Sequence, residues 1–170
     1  SGNLLGDVAN PTLYSPQGML TLNGSGTVAV PQLLEVMGRD LGLEPAGFNH
    51  NFAYGTLSLG SSTYVKLVDQ SANTNSGEPE ALYVNSLIVP SNTTLNLNGL
   101  HMYARAVQVN GTVTGGTINQ IPDSGSLALA TPTAGAISVA GELDEWQFFG
   151  RAGRSVTVLV NPGSGGSPAP

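Results

Sequence analysis

The chain has 170 residues, of which 40% are apolar and 9% charged, with no cysteine and a formal net charge of −6 at pH 7. Its five basic side chains, Arg39, Lys66, Arg105, Arg151 and Arg154, are too few and too scattered to neutralise a phosphate backbone, which excludes nucleic acid and anionic membrane surfaces as partners. The lack of cysteine excludes disulfides, thiolate chemistry and Cys-based metal sites, and solubility must rest on Asn, Ser, Thr and Gly, a balance more common in secreted bacterial β-proteins than in cytosolic enzymes.

No apolar run approaches the roughly 18 residues needed to cross a bilayer, so membrane insertion is not expected. Residues 1–10, SGNLLGDVAN, have neither a basic start nor a long apolar stretch and do not read as a signal peptide. A secreted protein would then be represented by a mature product or an excised piece. Residues 1–17 carry turn signals at Asn10-Pro11 and Ser15-Pro16 and read as an extended lead-in.

From residue 18 one apolar pattern occurs three times. It reads GMLTLNGSGTVAV over 18–30, GTLSLGSSTYVKL over 55–67 and NSLIVPSNTTLNL over 85–97. Each copy has two alternating apolar residues, a polar kink, then two more. Four columns result: Leu20, Leu57 and Leu87; Leu22, Leu59 and Val89; Val28, Val65 and Leu95; Val30, Leu67 and Leu97. The second and third copies are offset by 30 residues. Self-similarity of this kind predicts strands stacked around a shared core.

The first copy reads as a strand, a turn at Asn23-Gly24 and a second strand. Pro31 changes the rhythm. Leu33, Leu34, Met37 and Leu41 fall at helical spacing, Pro31 suits a first helical turn and Gly42 a stop, so a short helix is predicted over about 31–42, flanking the β core. Phe48, Phe52 and Tyr54 lead into strands at 56–59 and 63–69. A polar loop, 70–80, is followed by strands at 81–89, 94–97, 101–109 and 112–118, with Val107, Val109, Val113 and Ile118 forming a looser fourth copy. Corners at Asn23-Gly24, Asn98-Gly99 and Asn110-Gly111 tolerate left-handed backbone and suit β-helix turns. An antiparallel sandwich would give similar alternation; the recurring corners favour the solenoid. The predicted fold class is all-β, a β-solenoid over residues 1–121 with one helical insertion.

Residues 122–140 read as a linker with one strand at 127–129. Residues 141–160 read as a hairpin-like pair of strands, 145–149 and 155–160, and 161–170 as a flexible tail. Two strands do not fold alone. The segment must pack back on the solenoid, open a sandwich domain, or complete a sheet in a neighbouring copy. The last reading marks Asp144, Trp146, Phe148, Val156, Val158 and Val160 as assembly residues.

Residues 83–118, YVNSLIVPSNTTLNLNGLHMYARAVQVNGTVTGGTI, resemble a β-helix-like module recurring in tandem in very large secreted bacterial proteins of planctomycete-like organisms, a likeness that extends over about 18–120. Residues 141–160, GELDEWQFFGRAGRSVTVLV, resemble the opening of a bacterial pre-peptidase C-terminal β-sandwich, with Asp144, Trp146, Phe148 and Gly153 in the corresponding places. The later strands of that family are absent. Both resemblances imply a secreted, multi-domain parent, and neither carries a catalytic motif.

Candidate sites are sparse. Asp69, Asn73, Asn75 and Glu78 place oxygen ligands in a pattern like a calcium loop, D-x-S-x-N-x-N, but with few carboxylates, so a solvated loop is the plainer reading and no cofactor is expected. His50 and His101 lie in no zinc motif. Glu142, Asp144 and Glu145 lie outside the repeat, whose segments lack the gathered carboxylates that glycoside chemistry needs, and no nucleophile or phosphate motif is present. The chain is therefore not expected to be an enzyme. Tyr54 and the three glycan candidates Tyr64, Tyr83 and Tyr103 could form a stacking platform for a polysaccharide; filling of the corners by these rings is the plainer reading. Lys66 alternates outward, against an isopeptide role. The sequence points to a non-catalytic, secreted or cell-surface bacterial structural module: a spacer, adhesin or fibre subunit that self-associates by strand addition or meets neighbouring domains of its parent. The alternative is a carbohydrate-binding module.

Overall fold

The computed structural model describes residues 2–74, 77–121, 125–133, 135 and 144–160. Over them the chain is mostly β. Strands β1 (Met19–Leu22), β2 (Gln32–Glu35) and β3 (Gly38–Arg39) precede a short helix, α1 (Pro45–Asn49). Then follow β4 (Ala53–Leu59), β5 (Tyr64–Val68), β6 (Glu80–Val89), β7 (Thr94–Asn96), β8 (His101–Val109), β9 (Thr112–Thr114), β10 (Ile118–Gln120), β11 (Gly125–Ser126) and β12 (Trp146–Gln147).

From β4 to β10, successive strands join alternate sheets. The first sheet runs β1-β4-β6-β8-β10, with β3 also on β6, and the second runs β2-β5-β7-β9. Every pairing is parallel except that of β3 with β6. Parallel neighbours cannot be joined by a tight hairpin. The chain meets this constraint by crossing to the other sheet before it returns. The antiparallel sandwich, the other reading of the alternation, is not what forms.

Register follows the repeat. Leu20 pairs with Leu57, Leu57 with Leu87 and Leu87 with Val107. In the second sheet Val65 pairs with Leu95, and Leu95 with Val113. The 30-residue offset holds in both sheets, as Leu57 opposite Leu87 and Tyr64 opposite Thr94. These aliphatic side chains share one core that also takes in Leu34, Val36, Leu82, Val84 and Met102. Leu57, Val65, Leu87 and Leu95 are fully buried, which is the state in which each such side chain contributes about 1.5–3 kcal/mol.

The first copy departs from its pattern. Val28 and Val30 are 78% and 66% exposed and lie in no strand. Their places in the second sheet belong to Gln32, opposite Val65, and Leu34, opposite Leu67. The helix expected over 31–42 is accordingly absent, replaced by β2 and β3. Leu33, Leu34, Met37 and Leu41 do fit a helical stripe, but Gln32, Leu34 and Val36 fit an alternating one, and the open edge of β5 decides between them. Gln32 can face inward because its amide accepts from the Gly24 N–H at 3.1 Å and donates to the Gly2 carbonyl at 2.5 Å. The proline that opens a helix is Pro45, at the start of α1. Ahead of β1, Leu4 bridges to Leu34 and extends the second sheet's edge.

Corner chemistry repeats as well. Ser62 and Asn92 occupy equivalent corners with φ of 60° and 62°, and Asn98-Gly99 turns with φ of 54° and 78°. Gly24 and Gly111 are not left-handed; at Gly111 a Cβ would sit 2.5 Å from the Thr93 carbonyl oxygen, so close approach of backbones, not handedness, requires glycine there. Left-handed backbone costs an ordinary L-residue about 1–2 kcal/mol and asparagine less. Ser62→Asn should therefore stabilise the protein by up to about 1 kcal/mol in a denaturant titration, bringing this corner to the chemistry of Asn92.

The N-terminal half of β6 is buried on both faces. Its outer face belongs to a second core of Phe48, Ala53, Ala81, Tyr83, Tyr103 and Ile121, with Leu43 against it. Helix α1 closes this core. Gly47 lies directly over the Tyr83 ring, leaving no room for a side chain.

Candidate functional site

The loop after β5 is organised by two buried carboxylates. Glu35 Oε1 accepts from the backbone N–H groups of Gln70, at 2.5 Å, and Ser71, at 2.8 Å. Glu80 Oε1 accepts from those of Asn73, at 2.5 Å, and Thr74, at 3.0 Å. Asn73 is fully buried, and its amide bonds Glu80, Ser71 and Val36 while accepting from the Val8 N–H. Of the calcium candidates, Asn73 is thus consumed as an internal brace. Glu78 is paired with Arg39 at 2.6 Å, Asp69 is exposed, and Asn75 lies outside the described residues. Among the described residues no three His, Asp or Glu side chains converge to hold a cation.

The three tyrosines do not form an exposed row. Tyr83 and Tyr103 stack at 4.8 Å inside the second core, at 0% and 6% exposure. Tyr64 lies half-buried on the second sheet, where its hydroxyl accepts from the Asn96 amide at 2.8 Å. Tyr54 is inside the main core. These tyrosines therefore offer no shared stacking platform, because alternation turns Tyr83 and Tyr103 out of one core only to bury them in another.

This second core has a polar rim. Tyr83 accepts from the Leu41 N–H and donates to the Gly42 carbonyl. Tyr103 donates to Asp40 Oδ1 at 2.9 Å, and His101 Nδ1 lies 2.5 Å from Asp40 Oδ2. Burial raises the Tyr83 and Tyr103 hydroxyls, the latter to about 12. Burial would also raise the Asp40 carboxyl, but the hydrogen bonds from His101, the Gly42 N–H and Tyr103 outweigh it and hold Asp40 below its ordinary 3.8. A carboxyl depressed in the folded state stabilises fully above its unfolded value and loses that contribution as pH falls through the folded one. In an NMR titration Asp40 should ionise below 3.8, and His101→Ala should move that midpoint upward.

At the far end the core is left open. Val107, Val113 and Ile118 are only partly buried and Val109 is 39% exposed; among the described residues β9 and β10 have no further strand beyond them in their sheets. The assembly candidates lie along the C-terminal segment. Trp146–Gln147 pairs in parallel with Gly125–Ser126 rather than with residues 155–160, so the hairpin-like segment does not form. The strand at 127–129 is likewise replaced by β11. A turn at Arg151–Arg154, with Gly153 at φ 77°, precedes residues 155–160, which make no ladder with any described residue. Phe148, Val156, Val158 and Val160 are 42%, 45%, 63% and 82% exposed, and Asp144 and Trp146 are half-buried.

Arg105 anchors this segment. On the outer face of β8 its guanidinium grips Glu145 with two bonds of 2.7 Å. It also donates to the carbonyl oxygens of Asn85 and Asn49 and lies 4.6 Å over the Phe48 ring. Nothing in the linear sequence marked this junction beyond an isolated arginine in a chain poor in charge. No helix among the described residues is long and apolar enough to cross a membrane. Comparison with protein-family models, with curated proteins and with solved structures finds no match.

Proposed function

We propose that the chain is a non-catalytic structural module of a secreted bacterial protein, a β-solenoid spacer or fibre subunit whose copies join by strand addition. The observation that carries this reading is the pairing of one repeat column, Leu20, Leu57, Leu87 and Val107, in unbroken parallel register along one sheet while the chain alternates with a second. Such a stack is stiff along its axis and adds length without a catalytic cleft. The half-covered valines at the β9–β10 end and the unpaired, alternating Val156, Val158 and Val160 support assembly: one offers an open edge, the other a segment of strand composition. The likenesses of residues 18–120 and 141–160 to parts of large secreted proteins point the same way, and neighbouring domains of such a parent are the natural alternative partners for that edge.

Light scattering coupled to size exclusion over a rising concentration series tests the proposal. The expected result is growth in mass with concentration that Val156→Lys/Val158→Lys abolishes without moving the unfolding midpoint. A strict monomer at every concentration contradicts assembly.

A further inference from the structure

We propose that the cleft beside the Arg105–Glu145 ion pair binds a neutral polyhydroxylated ligand, a short segment of an uncharged polysaccharide. This inference does not depend on self-assembly. The cleft lies over the outer face of the first sheet and has a volume of about 500 Å³, within the roughly 300–1,000 Å³ of small-molecule sites. It is framed by the amides of Gln17, Asn49, Asn85 and Gln147, with the ion pair at its side.

Three features select the ligand. First, the cleft is electrically neutral. Arg105 and Glu145 satisfy one another in a two-pronged pair, with side chains only 12% and 18% exposed, so no charge remains to call for an anion, and the chain's net charge of −6 repels polyanions. Second, its donors are preset. Arg105 takes the carbonyl oxygens of Asn85 and Asn49. The amide nitrogen of Asn49 is thereby turned away from the guanidinium, and the amide of Gln147 has no protein partner among the described residues. Side-chain amides both donate and accept, as sugar hydroxyls do. Third, the lining is polar, with Ser15 and Thr56 beside the amides, which disfavours an apolar ligand whose binding would strand those groups without hydrogen bonds. A peptide strand would seek the backbone edges of β9 and β10 rather than a surface of side-chain amides. The site differs from the tyrosine row considered in the sequence: among the described residues lining it the one aromatic ring, Phe48, lies beneath the guanidinium.

The experiment uses the whole chain. Immobilised neutral glucan, mannan, xylan and chitin oligosaccharides and a polyuronate are screened for retention, and any neutral probe retained is followed by calorimetry. The expected result is retention of at least one neutral probe, weakened tenfold or more by Asn49→Ala/Gln147→Ala. Both positions are exposed, so the unfolding midpoint should stay in place. Ala106→Ile, an exposed position lining the cleft, should block binding by bulk alone. Retention of no neutral probe overturns the proposal, as does retention of the polyuronate alone, or unchanged affinity in both variants.

Discussion

Leu87→Ala should lower the unfolding free energy by about 2–5 kcal/mol, whereas Val28→Ala should change it by less than about 0.5 kcal/mol. The repeat pattern assigns both residues to apolar columns, so composition alone predicts similar losses. The fold separates them. Leu87 is fully buried, paired with Leu57 on one side and Val107 on the other, so its deletion opens a cavity in the middle of the stack. Little can collapse into that space, because both neighbours are held by their own ladders. Val28 is 78% exposed, in a bend between β1 and β2. Urea titrations of the two variants side by side measure the difference; equal losses would mean that the first copy stacks as its sequence suggests.

The second large effect belongs to Glu80. Glu80→Ala strips the acceptor from the Asn73 and Thr74 backbone N–H groups, both buried, and each buried donor left unmet costs about 1–3 kcal/mol. It also frees the Asn73 amide, whose other bonds reach Val36 and Val8 and tie the loop to the N-terminal segment. Glu80→Gln keeps a carbonyl oxygen for the two N–H groups and should recover more than half of the loss. Hydrogen exchange locates the effect: the amides of residues 73 and 74 should exchange much faster in Glu80→Ala, while those of Leu87 and Leu95 retain the order of their protection. An equal loss in both variants would show that the charge, not the acceptor, matters.

Much of the architecture is legible in the sequence. Strands predicted at 56–59, 81–89, 94–97 and 101–109 coincide with β4, β6, β7 and β8 to within a few residues; for β4, β6 and β7 the alternation is reinforced by a similarly patterned neighbour 30 positions away. The fourth copy was looser for a physical reason: the offset shrinks to 20 between Leu87 and Val107 and to 18 between Leu95 and Val113. Legibility failed where two periodicities overlapped, as at Gln32, Leu34 and Val36, and where burial came from an unforeseen second layer. Alternation along β6 and β8 assigns one face to a core and the other to solvent, and the second core beneath α1 makes that assumption false for half of β6, where Tyr83 and Tyr103 are buried. The Arg105 junction joins Asn49, Asn85 and Glu145 across long separations, and no local pattern encodes such a meeting.

The most direct test of the stacked register is a pair of engineered disulfides, which a chain without cysteine reports cleanly. Ser58 lies opposite Ile88 on adjacent strands, and Ile88 opposite Gln108 on the next. Neighbouring strands are about 4.8 Å apart, inside the range a disulfide spans, and next-nearest ones about twice that, outside it. Ser58→Cys/Ile88→Cys should oxidise to an intramolecular bridge under native conditions while Ser58→Cys/Gln108→Cys stays reduced. A first pair that remains reduced, or a second that closes readily, would contradict the register on which the stack depends.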